Sequence, residues 1–215
     1  MMSQRDENGF FTLREEIVNS VTHGIGAALS VAALVVLIVT ASRNGSAWHV
    51  VSFTIFGSML VLLYLASTVY HGIQVPSVKQ VLRKIDQGAV YLLIAGSYTP
   101  FLLTNLRGPW GWSLFGVIWA LAIYGIVSRF IRGGTVKGGG LMVYLLMGWL
   151  VVVAIKPLMA ALPTTSLLWL GIGGLAYSIG VIFYAWERLP YGHAIWHLFV
   201  IGGSVSHFIA VMTTI

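Results

Sequence analysis

Seven stretches of almost unbroken apolar sequence alternate with short polar connections along the 215 residues of this chain. A helix needs about 20 mostly apolar residues to cross the hydrocarbon of a bilayer, and runs of that order fall at roughly 20–41, 48–70, 87–106, 112–130, 141–162, 167–186 and 193–214. The pattern predicts an all-α integral membrane protein: a seven-transmembrane-helix bundle forming a single domain over 1–215. Residues 1–19 remain as an N-terminal segment, in which Thr12 and Glu15, spaced T-x-x-E, predict a capping box that opens a short helix leading into the first span. Pro100 in "AGSYTPFLL" lacks a backbone donor and predicts a kink in the third span. The pairs Gly173–Gly174 and Gly202–Gly203 predict close helix contacts. "GGTVKGGG" after the fourth span reads as a flexible loop, with neither the preceding strand nor the G-K-[ST] ending of a phosphate-binding loop.

Composition strengthens this picture. Hydrophobic residues make up 58% of the chain and charged ones 8%, against about a quarter charged in soluble domains. Cysteine is absent, which excludes disulfides and thiolate ligands and leaves histidine and carboxylate as the strong metal donors. The opening "MMSQRDENGFFTLREE" has no basic-then-apolar pattern and no small-residue cleavage site, so the first span is expected to be retained as an anchor. The net charge of +6 is scattered between spans, unlike a nucleic-acid footprint, and no nucleic-acid partner is expected. Distributed over the seven spans, nine Lys and Arg fall on the side of the N-terminus (Arg5, Arg14, Lys79, Arg83, Lys84, Arg129, Arg132, Lys137, Arg188) and three on the other (Arg43, Arg107, Lys156). Basic residues concentrate in cytoplasmic loops. The N-terminus is therefore expected in the cytoplasm and the C-terminus outside.

With that topology the intramembrane polar residues gather in the cytoplasmic leaflet. Ser67 and His71 lie at i, i+4 at the end of span two, Asp86 opens span three, and His193 and His197 lie at i, i+4 at the start of span seven. Two histidines one turn apart and a third from another helix can hold one zinc ion and leave a fourth position for water, the arrangement of catalytic zinc. His71, His193 and His197 are the expected ligands. Each histidine alone also reads as an interfacial ring bonded to backbone or water. Asp86 can pair with Arg83 or Lys84, or accept a proton from a water beside the metal. Ser67 can bond back to its own helix, or orient that water or the carboxylate. Glu16, Asn19 and His23 form one stripe on span one, expected to support the site or give access to substrate. His207, about 15 Å beyond His197 along the helix, is too far to join the same ion, and His49 falls on the outer side.

The ordered set E-x-x-N-x-x-x-H, S-x-x-x-H, an Asp opening span three and H-x-x-x-H opening span seven resembles the haemolysin III family, as do "LIAGSYTPFLL" and "ERLPYGHAIWHLFVIGGSVSHF". That bacterial inner-membrane group belongs with the progestin and adipoQ receptors and, more distantly, the alkaline ceramidases. The resemblance, from Glu16 to His207, implies a seven-helix bundle with an inward N-terminus and zinc on His71, His193 and His197. It further implies a water linking that zinc to Asp86 and Ser67, and hydrolysis of a lipid amide. The chain lacks the long N-terminal region and C-terminal tail of the animal receptors, so receptor signalling does not carry over. Nor does it have the amphipathic character of a secreted pore-forming toxin. Three functions follow. The first is a zinc-dependent intramembrane hydrolase of a lipid amide or ester, with Asp86 as base and Ser67 as orienting hydroxyl. The second is a non-enzymatic regulator or sensor of membrane state with structural zinc. The third is a haemolysin, pore or transporter, disfavoured by polar residues mostly confined to one leaflet. Expected partners are membrane lipids, a lipid substrate and further copies of the chain in an oligomer. The expected location is the bacterial inner membrane.

Overall fold

A computed structural model describes residues 9–132 and 139–215. Arg5, Lys137 and most of the "GGTVKGGG" loop lie outside the described residues. Among those described the chain is helical throughout, with no strand. The helices are α1 (Leu13–Asn44), α2 (Ala47–Gly72), α3 (Pro76–Leu103), α4 (Pro109–Arg132), α5 (Gly139–Gly148), α6 (Ile155–Ala161), α7 (Thr164–Ala185) and α8 (Gly192–Met212), with a 3₁₀ segment at Leu150–Ala154 between α5 and α6.

Six helical runs are long and apolar enough to cross a membrane: Leu13–Asn44, Ala47–Gly72, Pro109–Ile131, Gly140–Ala161, Thr164–Ala185 and Gly192–Met212. The protein is a multi-pass membrane protein. Its outward surface is aliphatic, with Val21, Ile25, Ile123, Ile131, Leu146 and Ile182 each more than half exposed, as expected where lipid rather than water is the solvent.

The N-terminal capping box is present. Thr12 Oγ1 accepts from Glu15 N (3.4 Å) and Thr12 N donates to Glu15 Oε2 (3.3 Å). The helix it starts does not stop before the first span, because α1 runs unbroken for 32 residues. The third run differs from expectation. Helix α3 begins at Pro76, ahead of 87–106, and its composition is less apolar than that of the six runs. The reason is its place: α3 packs against α2, α4, α5 and α8, and every residue from Ala95 to Leu103 is buried. Lys79, Gln87, Ser97 and Thr99 of α3 are buried against protein. Pro100 sits in the last turn, where its carbonyl accepts both Thr104 N (3.1 Å) and Thr104 Oγ1 (2.7 Å).

The fifth run, 141–162, is broken where a continuous helix was expected. After Gly148 the backbone tightens into the 3₁₀ segment, and the Tyr98 hydroxyl of α3 fills the gap. It lies 2.9 Å from Met147 O and 2.7 Å from Gly148 O, and it accepts from Val151 N at 3.0 Å. Irregular backbone within a bundle persists where protein satisfies its polar groups.

Contacts follow chain order, with α1 on α2, α2 on α3, α3 on α4 and α7 on α8, while α1 against α8 brings the two ends of the chain together. One glycine of each pair makes the expected close approach. Gly173 lies under the His207 ring, and a Cβ on Gly203 would stand 2.7 Å from Tyr177 Cζ. Gly202 faces open space and Gly174 has ordinary contacts.

Candidate metal centre

The start of α1, the end of α2, the start of α3 and the first two turns of α8 share one end of the bundle. One ligand atom from each of His71, His193 and His197 lies within 4.8 Å of the others. The ring centroids are 5.1 Å apart for His71 and His193, 5.2 Å for His71 and His197, and 4.6 Å for His193 and His197. His71 and His197 are fully buried.

Two of the rings have their orientation set by oxygen partners. His71 Nδ1 is 2.6 Å from Glu16 Oε2, and His197 Nδ1 is 3.2 Å from the Asn19 carbonyl oxygen. A carbonyl and a carboxylate accept, so each Nδ1 carries the proton and each Nε2 keeps its lone pair. His71 Nε2 is buried with no hydrogen-bond partner. An unsatisfied imidazole nitrogen in an apolar interior is costly, and a divalent metal held by three neutral imidazoles removes that cost. The residues fit such an ion.

Around the triad the structure sorts the remaining expected residues. Glu16 directly supports His71. Asn19 reaches His197 through its backbone, while its side-chain Oδ1 and Nδ2 are buried without partners. His23 stacks on His197 with centroids 3.4 Å apart and planes at 14°, and it packs edge-on against Tyr64. Ser67 and Asp86 line one cavity beside His193 and His197. They are near enough to interact electrostatically, though Ser67 Oγ closes no hydrogen bond. Lys84 donates to Phe130 O at 3.4 Å and so is engaged by α4. His49 sits at the far end of α2, bonded to Ser46 in that helix's cap.

Three contributors escape a reading by spacing. Thr22 Oγ1 lies 3.1 Å from His197 Nδ1. The Phe11 ring covers His193 at 4.8 Å. Lys79, counted above only as a loop charge, is 1% exposed and 3.1 Å from Glu16 Oε1. The T-x-x-E spacing did locate Glu15, whose Oε1 also accepts Tyr191 N (3.1 Å) at the left-handed residue preceding α8.

The cavity is about 570 Å³. From the polar end it extends between helices past Val90, Ile94, Leu102, Val152, Leu158 and Leu170, almost wholly apolar, with His207 farther along α8 on the same wall. Such a volume, apolar with a few polar groups at one end, is the usual form of a small-molecule site.

A sequence model of the family described as "Haemolysin-III related" matches residues 11–208. The chain belongs to the haemolysin III family. It is 51% identical to Hemolysin-3 of Bacillus cereus over 206 residues, covering 93% of this chain and 91% of that protein. It is 50% identical to the Hemolysin-3 homolog of Bacillus subtilis (strain 168) over 208 residues, covering 94% and 95%. Similarity extends to the Monocyte to macrophage differentiation factor of Homo sapiens, 31% identical over 209 residues, covering 93% of this chain and 84% of that one. The match thus spans every element that supplies the histidine cluster of this haemolysin III protein.

Proposed function

We propose that this haemolysin III protein is a zinc-dependent intramembrane hydrolase of a lipid amide or ester. The observation that carries the reading is the placement of three imidazoles, with ligand atoms within 4.8 Å of one another, at the polar mouth of a long apolar cavity. In the proposed topology α3 is a seventh crossing inside the other six, the N-terminus is cytoplasmic and the C-terminus is outside. This rests on the nine-to-three distribution of Lys and Arg. The Bacillus relatives support a bacterial inner (plasma) membrane as the location.

His71, His193 and His197 hold the ion. When bound, zinc supplies a Lewis acid that polarises a carbonyl and makes water nucleophilic near neutral pH. The cavity wall takes the hydrocarbon of the lipid and keeps bulk water from it. Asp86 receives a proton from the attacking water on its carboxylate and returns it to the departing amine or alcohol, as a general base and then acid does. Ser67 Oγ, beside Asp86 on the cavity wall, orients the water or the carboxylate. Asn19 and His23 hold His197 in place from α1.

The test is a survey of N-acyl and O-acyl lipids with purified protein, products read by mass spectrometry. Wild-type protein is expected to give a zinc-dependent product. His193→Ala is expected to lose zinc and turnover together. A survey with no zinc-dependent product leaves a second reading, a non-enzymatic regulator of membrane state with a structural ion. Its supporting observation is that the histidines come from α2 and α8, so one ion ties together helices distant in sequence.

A further inference from the structure

The zinc reading accounts for the histidines but not for Lys79, a lysine almost completely out of solvent in the first turn of α3. Lysine is rarely buried unless paired, and here its partners converge on the metal centre from another helix. The ammonium donates to Tyr70 O at 2.8 Å and Ile73 O at 3.2 Å, which closes the carboxyl end of α2 directly beside His71. It stands 3.1 Å from Glu16 Oε1, and its Nζ is 4.6 Å from the Tyr70 ring centroid and 5.6 Å from that of Phe10. The other oxygen of the same carboxylate, Glu16 Oε2, lies 2.6 Å from His71 Nδ1.

Lys79, Glu16 and His71 therefore form one file across three helices, α3 to α1 to α2, ending at the unpartnered Nε2. A carboxylate held by an ion pair to a buried ammonium on one oxygen and by an imidazole on the other has little freedom to turn, because turning away gives up both attractions. A ligand histidine depends on such outer partners for its ring orientation and tautomer. The carbonyl contacts add a second constraint, since they fix the last turn of the helix that carries His71.

We propose that Lys79 is a positioning residue for the metal centre, holding the Glu16 carboxylate against His71 so that the imidazole presents Nε2 to the ion. This rests on the reading that His71, His193 and His197 bind zinc.

The test uses full-length protein in detergent, stripped of metal, with zinc affinity read by chelator competition and the site followed by the visible absorption of substituted cobalt. Wild type, Lys79→Met, Lys79→Arg, Glu16→Gln and the Lys79→Met/Glu16→Gln double variant are compared, and the unfolding temperature of each metal-free protein is recorded. Lys79→Met and Glu16→Gln are each expected to weaken zinc binding about 10- to 100-fold and to alter the cobalt spectrum. The double variant is expected to be little weaker than either single one, since both act through one contact. Lys79→Arg is expected to recover most of the affinity.

A Lys79→Met protein with a lowered unfolding temperature but wild-type zinc affinity overturns the proposal and leaves Lys79 only as a cap on α2. Single effects that multiply in the double variant overturn it as well. If Lys79→Met yields no folded protein, Lys79→Gln replaces it, alone and combined with Glu16→Gln; glutamine can still donate to Tyr70 O and Ile73 O but brings no charge to Glu16, and the same outcomes decide. Wild-type protein that binds neither zinc nor cobalt refutes the metal reading itself, and Lys79 with it. Wild-type binding with unchanged variants refutes Lys79 alone.

Discussion

Asp86 is the residue at which the two functional readings part. Asparagine keeps the shape of the side chain and removes the base, so Asp86→Asn is expected to hold about one zinc per chain and to lose about 10² to 10⁴ in hydrolysis rate. Metal analysis and product formation on the same preparation check both halves, and wild-type turnover in that variant excludes Asp86 as the base. His71→Ala is expected to lose zinc and thermal stability together, because it removes a ligand and leaves Glu16 Oε2 without its 2.6 Å partner in a dry interior. Unchanged zinc content in both His71→Ala and His197→Ala excludes this ligand set. The histidines were legible in the sequence because i, i+4 spacing at helix ends is a local signal, and the topology then brings the ends together. Lys79 was not, since a lysine between two apolar runs looks the same whether it faces water or reaches inward to Tyr70 O and Glu16. Spacing grouped Glu16 with Asn19 and His23, but only packing reveals that Glu16 touches a ligand side chain while Asn19 uses its backbone.

At the scale of elements, hydropathy located the lipid-facing helices well and misjudged the two that are special. The hydrophobic pattern marks only the apolar second half of helix α3, because its first half carries Lys79, Gln80, Arg83, Lys84 and Asp86 within one short stretch. The break between α5 and α6 had only weak local signals, Gly148 at the end of α5 and Pro157 in the first turn of α6, and the partner that stabilises it is a tyrosine some 50 residues away in sequence. Tyr98→Phe is expected to cost about 1 to 3 kcal/mol, the range for leaving buried backbone donors and acceptors unpaired. Unfolding measured in detergent or bicelles checks this. An unmeasurable change shows that the break satisfies itself by other means. The capping box, by contrast, was fully legible, because both partners lie within one turn of α1.

For the whole molecule the first expectation concerns orientation. A reporter active only in the cytoplasm, fused after Ile215, is expected to be silent, whereas strong activity means either an even number of crossings or an external N-terminus and contradicts a cytoplasmic N-terminus paired with an external C-terminus. The family could be recognised from the ordered motifs, since each lies at a helix end that the hydrophobic pattern had marked. The cavity could not, because its wall is assembled from residues of all seven apolar runs and the segment before α1, and no local pattern marks which of them face one another. That wall has a further consequence. Along α8 it extends from His193 to His207, about 21 Å at 1.5 Å per residue, which exceeds half of the roughly 30 Å hydrocarbon thickness. In the proposed hydrolase, a lipid with its head at the histidines would extend its tail past the bilayer midplane, and the cavity would act as a ruler. Chains that end before the far wall leave part of it unfilled, and chains that overrun it are forced to bend out between helices, so processing is expected to peak sharply at one acyl length when a homologous series is compared.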